Sequence, residues 1–104
     1  MTTPSDPSAN LQANLDRHRV EFMKSELALC VTFSTIAARK YETGNQESAD
    51  RSMAIAEKAY ETVLKILTDT KHSTHLTKET IQESRLELKR LRDTLDGILQ
   101  RFKK

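Results

Sequence analysis

The fold of this chain is decided by residues 33–67, which read FSTIAARKYETGNQESADRSMAIAEKAYETVLKIL. The pattern predicts two helices that fold back on each other at the turn Thr43-Gly44-Asn45. Gly44 suits the left-handed position that ends a helix, and Asn45 is a favoured cap for the next helix. Small residues recur on both sides of the turn, where two helix backbones must approach closely: Ala37, Ala49 and Ala56.

After the turn, the predicted second helix covers residues 46–68. Its apolar residues alternate four and three positions apart, as in a helix packed along a neighbour: Ala49, Met53, Ala56, Tyr60, Val63 and Leu67. A weaker flanking row consists of Ile55, Ala59 and Ile66. The polar segment 69–76 ends this pattern. Thr77 then caps a third helix over 77–103, with the same alternation in its seam: Ile81, Ser84, Leu88, Leu91, Leu95, Ile98 and Phe102.

Before the turn, a first helix is predicted over residues 8–43, after a polar lead-in over 1–7 that is expected to be disordered. Asp6-Pro7 suits the start of this helix, because Asp is a good cap and Pro fits the first helical position. One apolar row runs along the helix at spacings of three, four or seven: Leu11, Leu15, His18, Phe22, Leu29, Phe33 and Ile36. A second row lies beside it: Met23, Leu27, Cys30, Ala37 and Tyr41.

The lengths of these helices predict an antiparallel, up-down-up three-helix bundle with a long first helix. At about 1.5 Å per residue the first helix spans about 54 Å and the second only about 35 Å. The second helix therefore returns to about residue 20, and residues 8–19 are expected to project beyond the bundle without an intrachain partner. The chain is accordingly all-α, with one domain over residues 8–104.

Composition supports this fold class and limits the function. Two glycines and two prolines in 104 residues leave little turn chemistry for strands. The formal charge of +2 is too mild to imply nucleic acid or an anionic membrane. A single cysteine excludes an internal disulfide, and no apolar run approaches the ~20 residues of a membrane span. A soluble, cytoplasmic protein is expected.

Residues 33–56 resemble a single tetratricopeptide-type helix pair. The matching positions are Phe33, Ile36, Ala37, Gly44, Ala49 and Ala56, whereas Tyr41 lies one residue late and Met53 replaces the usual aromatic residue. With a third helix behind this pair, the chain also resembles an MIT (microtubule-interacting and transport) domain. That resemblance implies a three-helix adaptor that binds short helical motifs in grooves between its helices.

Few residues are candidates for chemistry. His72 and His75 form a His-x-x-His pair, but a closed zinc site needs four ligands, so exposed loop histidines are expected. His18 has only Glu21, one turn on, as a carboxylate to orient its ring. Cys30 has no cation in the adjoining turn positions to lower its pKa, so an inert core thiol is expected.

Another candidate surface is basic and lies on the third helix, where Arg85, Lys89 and Arg92 share one outer face. Asp93 and Asp96 follow Lys89 and Arg92 by four residues, which predicts ion pairs along the helix. This surface is therefore expected to be a solvated face. Leu86 lies nearly opposite the third helix's seam and is expected to be exposed.

These features predict a non-enzymatic protein–protein interaction module, or a small self-assembling subunit, that binds an amphipathic helix. The association residues are expected to be Leu11, Leu15, His18 and Phe22, and no cofactor or metal is expected. Replacing Leu11 and Leu15 by Asp should abolish association and leave the bundle folded. Two alternatives stay open: a nucleic-acid-binding protein that uses the basic face, and a histidine-based ligand-binding or phosphotransfer bundle.

Overall fold

The structure is a computed structural model and describes residues 7–69 and 75–103. These residues form three α-helices: α1 (Pro7–Glu42), α2 (Gln46–Thr68) and α3 (Lys78–Phe102). The bounds lie within one residue of the predicted ones, which is the ordinary variation at helix ends. The all-α bundle with a long first helix is confirmed. The expected disordered lead-in and the cap at Asp6 lie outside the described residues, except that Pro7 already belongs to α1.

Contacts at the two ends of the bundle show the direction of each helix. At one end, the rings of Tyr41 and Phe102 stack with centroids 5.3 Å apart, which places the end of α3 beside the α1–α2 turn. At the other end, Gln12 Nε2 lies 3.2 Å from His75 Nδ1. The helices α1 and α3 therefore run in the same direction and α2 returns between their ends, which is the predicted up-down-up order.

The α1–α2 turn is built around Gly44, whose φ of 82° is the left-handed conformation that glycine adopts without steric cost. The amide of Gly44 donates to the Tyr41 carbonyl at 3.1 Å, and that of Asn45 donates to the Lys40 carbonyl at 2.8 Å. This pair of bonds is a Schellman motif, which satisfies carbonyls left free at the helix end. Asn45 is the N-cap residue of α2, as predicted, but its side chain makes no capping hydrogen bond.

The predicted seams of α2 and α3 are confirmed. Along α2, every predicted seam residue except the partly buried Tyr60 is buried, and Ala49, Ala56 and Val63 are fully enclosed. Along α3, Leu88, Leu91 and Leu95 form the buried centre of the seam. Thr77 caps α3 as predicted, because its hydroxyl accepts from the amide of Thr80 at 3.1 Å.

The two predicted rows on α1 differ in burial. The second row supplies the core, since Met23, Cys30 and Ala37 are completely buried. The first row mostly faces out: its large apolar members Leu11, Leu15, Phe22 and Leu29 are exposed, and only Phe33 and Ile36 are partly buried. The first row is therefore a second apolar face of α1 and does not form the main seam of the bundle.

Leu76 is the one large apolar residue that the sequence pattern assigned to a polar segment and the structure places in the core. It is 8% exposed and belongs to a cluster with Met23, Val63, Leu67 and Leu88. It lies two residues before the start of α3. None of the described helices is both long and apolar enough to cross a membrane.

Candidate interaction site

The side of the α1–α2 hairpin that bears the first apolar row carries a line of large apolar side chains in contact with solvent. Phe22 is 50% exposed and Ile55, on α2, is 43% exposed. The other members of this line lie on α1: Leu11, Leu15 and Leu29. Burying apolar surface is worth about 25 cal/mol per Å². Covering this row with another apolar surface would therefore be energetically favourable.

Part of this row forms one wall of an open groove between α1 and α2, which has a volume of about 540 Å³. We call it the α1/α2 groove. Four lining residues come from α1, three from α2, and one, Asp69, caps the C-terminal end of α2: Leu15, His18, Arg19, Phe22, Thr62, Lys65, Ile66 and Asp69. The structure thus brings together three of the predicted association residues. Leu11 does not line this groove and lies farther towards the N-terminus on α1, 61% exposed.

The groove continues along the hairpin into a smaller depression of about 230 Å³, and Thr62 lines both. The depression is lined by Glu26, Leu29, Ile55, Lys58, Ala59 and Thr62. From Leu15 to Leu29 the α1 wall spans fourteen residues, or about 21 Å of helix. A helix of about four turns therefore matches its length.

The α2 wall shows why a helix fits this surface better than a flat partner does. Residues 55, 59, 62, 66 and 69 follow one another at spacings of four and three. This is the repeat by which one helix receives the side chains of another. The sequence pattern contained this signal only in part, because Thr62 and Asp69 are polar and were not assigned to the flanking row of Ile55, Ala59 and Ile66.

The N-terminal part of α1 is more closely tied to the chain than its predicted projection implies. Asp16 Oδ1 lies 3.4 Å from His75 Nδ1, and Gln12 contacts the same ring. The segment before α3 therefore reaches residues 12–16, and the end of α2 lies across the groove from Leu15, His18 and Arg19. The expectation of no intrachain partner over 8–19 is therefore wrong for Gln12, Asp16 and these groove-lining residues. The apolar side chains of Leu11 and Leu15 nevertheless stay exposed.

Charged side chains border the apolar floor of the groove without closing it. Arg19 is held by Asp16 at 3.1 Å. The ammonium groups of Lys58 and Lys65 form no ion pair with any described residue, and Glu26 is also unpaired within that part of the chain. The rim thus offers charges of both signs to a partner, which is typical of the edge of a protein interface.

The histidines do not form a common site in the described structure. His18 lines the α1/α2 groove and makes no hydrogen bond or ion pair with Glu21. His75 contacts Gln12 and Asp16, while His72 lies outside the described residues. Among residues 10–69 and 75–103, no three His, Cys, Asp or Glu side chains are grouped so that they could hold a metal ion.

Cys30 is fully buried in the cluster with Ala37, Met53 and Leu95. Burial raises the pKa of its thiol, and the nearby charge of Glu57 acts in the same direction. Because the thiolate is the reactive form, this environment favours the predicted inert core thiol.

The basic face of α3 is less available than its sequence suggests. The Arg92 guanidinium makes two hydrogen bonds of 2.8 Å to Glu57 and one of 2.9 Å to Asp96. It also covers the Tyr60 ring at 5.0 Å, so this aromatic face is not free to stack on a base. The predicted Lys89–Asp93 pair is not formed in the described structure. Arg85 and Lys89 thus remain as two unpaired cations beside a separate α2/α3 groove.

No protein-family model, curated protein or solved structure matches this chain. The resemblance to a tetratricopeptide-type pair and to an MIT domain therefore stays a prediction. What the chain does has to be argued from the α1/α2 groove itself.

Proposed function

We propose that the chain is a non-enzymatic protein–protein interaction module that binds an amphipathic helix in the α1/α2 groove. The observation that carries the proposal is the exposure of Leu15 (44%) and Phe22 (50%) beside Ile66, in a groove between two packed helices. Aromatic and aliphatic side chains at the centre of a concave surface are the usual anchors of helix-in-groove recognition.

Three properties of the groove support a helix as its ligand class. Its walls are both helices, its α2 wall repeats every seven residues, and its length matches about four helical turns. The apolar floor of the groove would provide affinity, and the charges of both signs at its rim would orient the bound helix.

The experiment is selection of displayed amphipathic-helix peptides of about 20 residues against the whole chain. Binding of the selected peptides is then measured by fluorescence anisotropy at a dilute, fixed chain concentration. We expect the double substitution Leu15→Glu plus Phe22→Glu to weaken binding by at least about tenfold, a loss of about 1.4 kcal/mol. Glutamate keeps helix propensity high, so α1 should persist.

The matched control is Leu86→Glu, because Leu86 is an equally exposed leucine (53%) on α3 that does not line the groove. This control should bind the peptides as the unmodified chain does. In the unmodified chain, peptide binding should change the amide chemical shifts of residues 15–29 and 55–69. Peptides that bind the double variant normally, or that shift α3 instead, would show that the groove is not the site.

A further inference from the structure

The α1/α2 groove lies beside an apolar row that is itself helical and of the right length to fill such a groove. The row extends from Leu11 to Leu29 on α1, and the same helix supplies one wall of the groove. A surface that carries both a ridge and a groove can pair with a copy of itself about a two-fold axis. We propose that the occupant of the groove is α1 of a second copy of this chain, in an antiparallel dimer. This inference rests on the proposed function and names its partner.

The exposed apolar area is large enough for such a dimer. Five large side chains on this face are exposed by between 39% (Leu29) and 61% (Leu11). If each offers about 200 Å² when fully exposed, together they present roughly 500 Å² per copy. That is at the upper end for the largest patch on a monomer, about 300–600 Å². With the polar rim added, it approaches the ~800 Å² per partner of a standard stable interface.

The order of residues along α1 selects the antiparallel direction. With the two-fold axis at Phe22, Leu15 of one copy faces Leu29 of the other, and Leu11 faces Phe33. His18 then faces Glu26, an imidazole opposite a carboxylate. A parallel pairing would instead set each residue against its own copy, so that Glu26 meets Glu26, and like charges opposite one another are destabilising.

The antiparallel direction also explains the length of α1. Leu11 lies beyond the end of the groove within one copy, where it has the highest exposure of the apolar row. In the antiparallel pair this end of α1 reaches over the middle of the partner's hairpin. The N-terminal turns of α1 then add buried apolar area to the dimer.

The test is the molar mass by light scattering behind size exclusion, loaded from about 1 to 100 μM. We expect twice the monomer mass of 11.9 kDa at the upper concentrations. Leu15→Glu plus Phe22→Glu should weaken association at least about 100-fold, while Leu86→Glu should leave it unchanged. Circular dichroism should show the same helix content in all three proteins.

Cysteine crosslinking tests the direction of the pair. The native Cys30 is fully buried, so any disulfide between two copies should come from the introduced cysteine. Phe22→Cys should form a covalent dimer on oxidation, because residue 22 lies at the axis. Leu15→Cys should not, because its two copies are about 20 Å apart along the helices.

A monomer at every concentration would overturn the dimer and leave the helix-binding groove to the peptide selection, so the two failures are distinguishable. A dimer that survives the double substitution would place the interface elsewhere and also overturn the proposal. Crosslinking of Leu15→Cys with itself would show a parallel pair and contradict the antiparallel one.

Discussion

The two ends of the bundle are built from different residues and reach different degrees of closure. Near the turn end, several of the completely enclosed side chains are small, with Ala37, Ala49 and Ala56 at 0% exposure. At the open end, which comprises residues 10–22 of α1, no described side chain is buried. Small residues let two backbones approach, whereas large apolar residues hold a surface open unless another element covers them.

The two ends of the bundle also differ in their polar contacts. At the turn end, the Tyr41 hydroxyl donates to Asp50, and Lys103 Nζ donates to the same carboxylate at 3.0 Å. These contacts tie α1, α2 and the end of α3 together. At the open end, His75 contacts Gln12 and Asp16 of α1. The comparison teaches that one end of the bundle is closed by its own side chains, whereas the other leaves large apolar side chains exposed.

The largest expected difference in stability between the two ends comes from a substitution in the core near the turn end. Leu95→Ala removes a side chain that is 0% exposed in the cluster with Cys30 and Met53. It should lower the free energy of unfolding by about 2–5 kcal/mol, through lost burial and the cavity left behind. Leu15→Ala at the open end should change it by no more than about 0.5 kcal/mol. Urea titrations of the two variants measure both values, and similar losses would contradict the comparison.

A second, smaller effect on stability is expected from the two glycines, one in the turn and one inside α3. Neither Gly44 nor Gly97 has a neighbour within 4 Å of where a Cβ would lie, so steric contact does not distinguish them. Gly44→Ala should destabilise the chain by about 1 kcal/mol, because its φ of 82° strains any other residue. Gly97→Ala, inside α3, should stabilise it by about 0.5–1 kcal/mol. Thermal unfolding should show shifts of opposite sign, and shifts of the same sign would contradict the turn geometry.

The polar cluster of the turn end predicts a modest acid sensitivity. The hydrogen bond from Tyr41, and then the one from Lys103, lower the pKa of Asp50. A lowered folded-state pKa means that the stabilisation is present above the unfolded pKa of about 3.9 and is lost as pH falls through the folded value. Asp50→Asn should therefore destabilise the chain at pH 7 and remove part of the acid loss. Urea midpoints between about pH 6 and 2 measure this, and parallel pH profiles for the two proteins would contradict it.

The smallest expected effect is on the ionisation of one side chain at the turn end, Tyr41. Burial, followed by the hydrogen bond to Asp50, raises the pKa of Tyr41 to about 12. The stabilisation is thus present below the unfolded tyrosine pKa of about 10 and is lost as pH rises towards 12. In a Tyr60→Phe background, phenolate absorbance reports Tyr41 alone, and adding Asp50→Asn should lower the midpoint. An unchanged midpoint would show that Asp50 does not hold this ring.

Much of the candidate site could be predicted from the sequence, but not how its parts meet. Leu15, His18 and Phe22 were predicted as one surface from their spacing on α1. Of the opposite wall, the sequence pattern indicated only the flanking row of Ile55, Ala59 and Ile66, since Thr62 and Asp69 are polar and carry no apolar signal. Leu76 was missed for a similar reason: a single leucine in a polar segment has no periodicity, so only packing against Met23 and Val63 shows its role.

By itself, the sequence determined the three helices, their bounds, the turn at Gly44 and the seams of α2 and α3. These depend on local spacing and capping, which act over a few residues. Only the tertiary structure decided which of the two apolar rows of α1 enters the core, because either row could pack against α2 on spacing alone. The row with Met23, Cys30 and Ala37 became the core. The row with Leu15 and Phe22 was left outward, and it is there that we place the function of the chain.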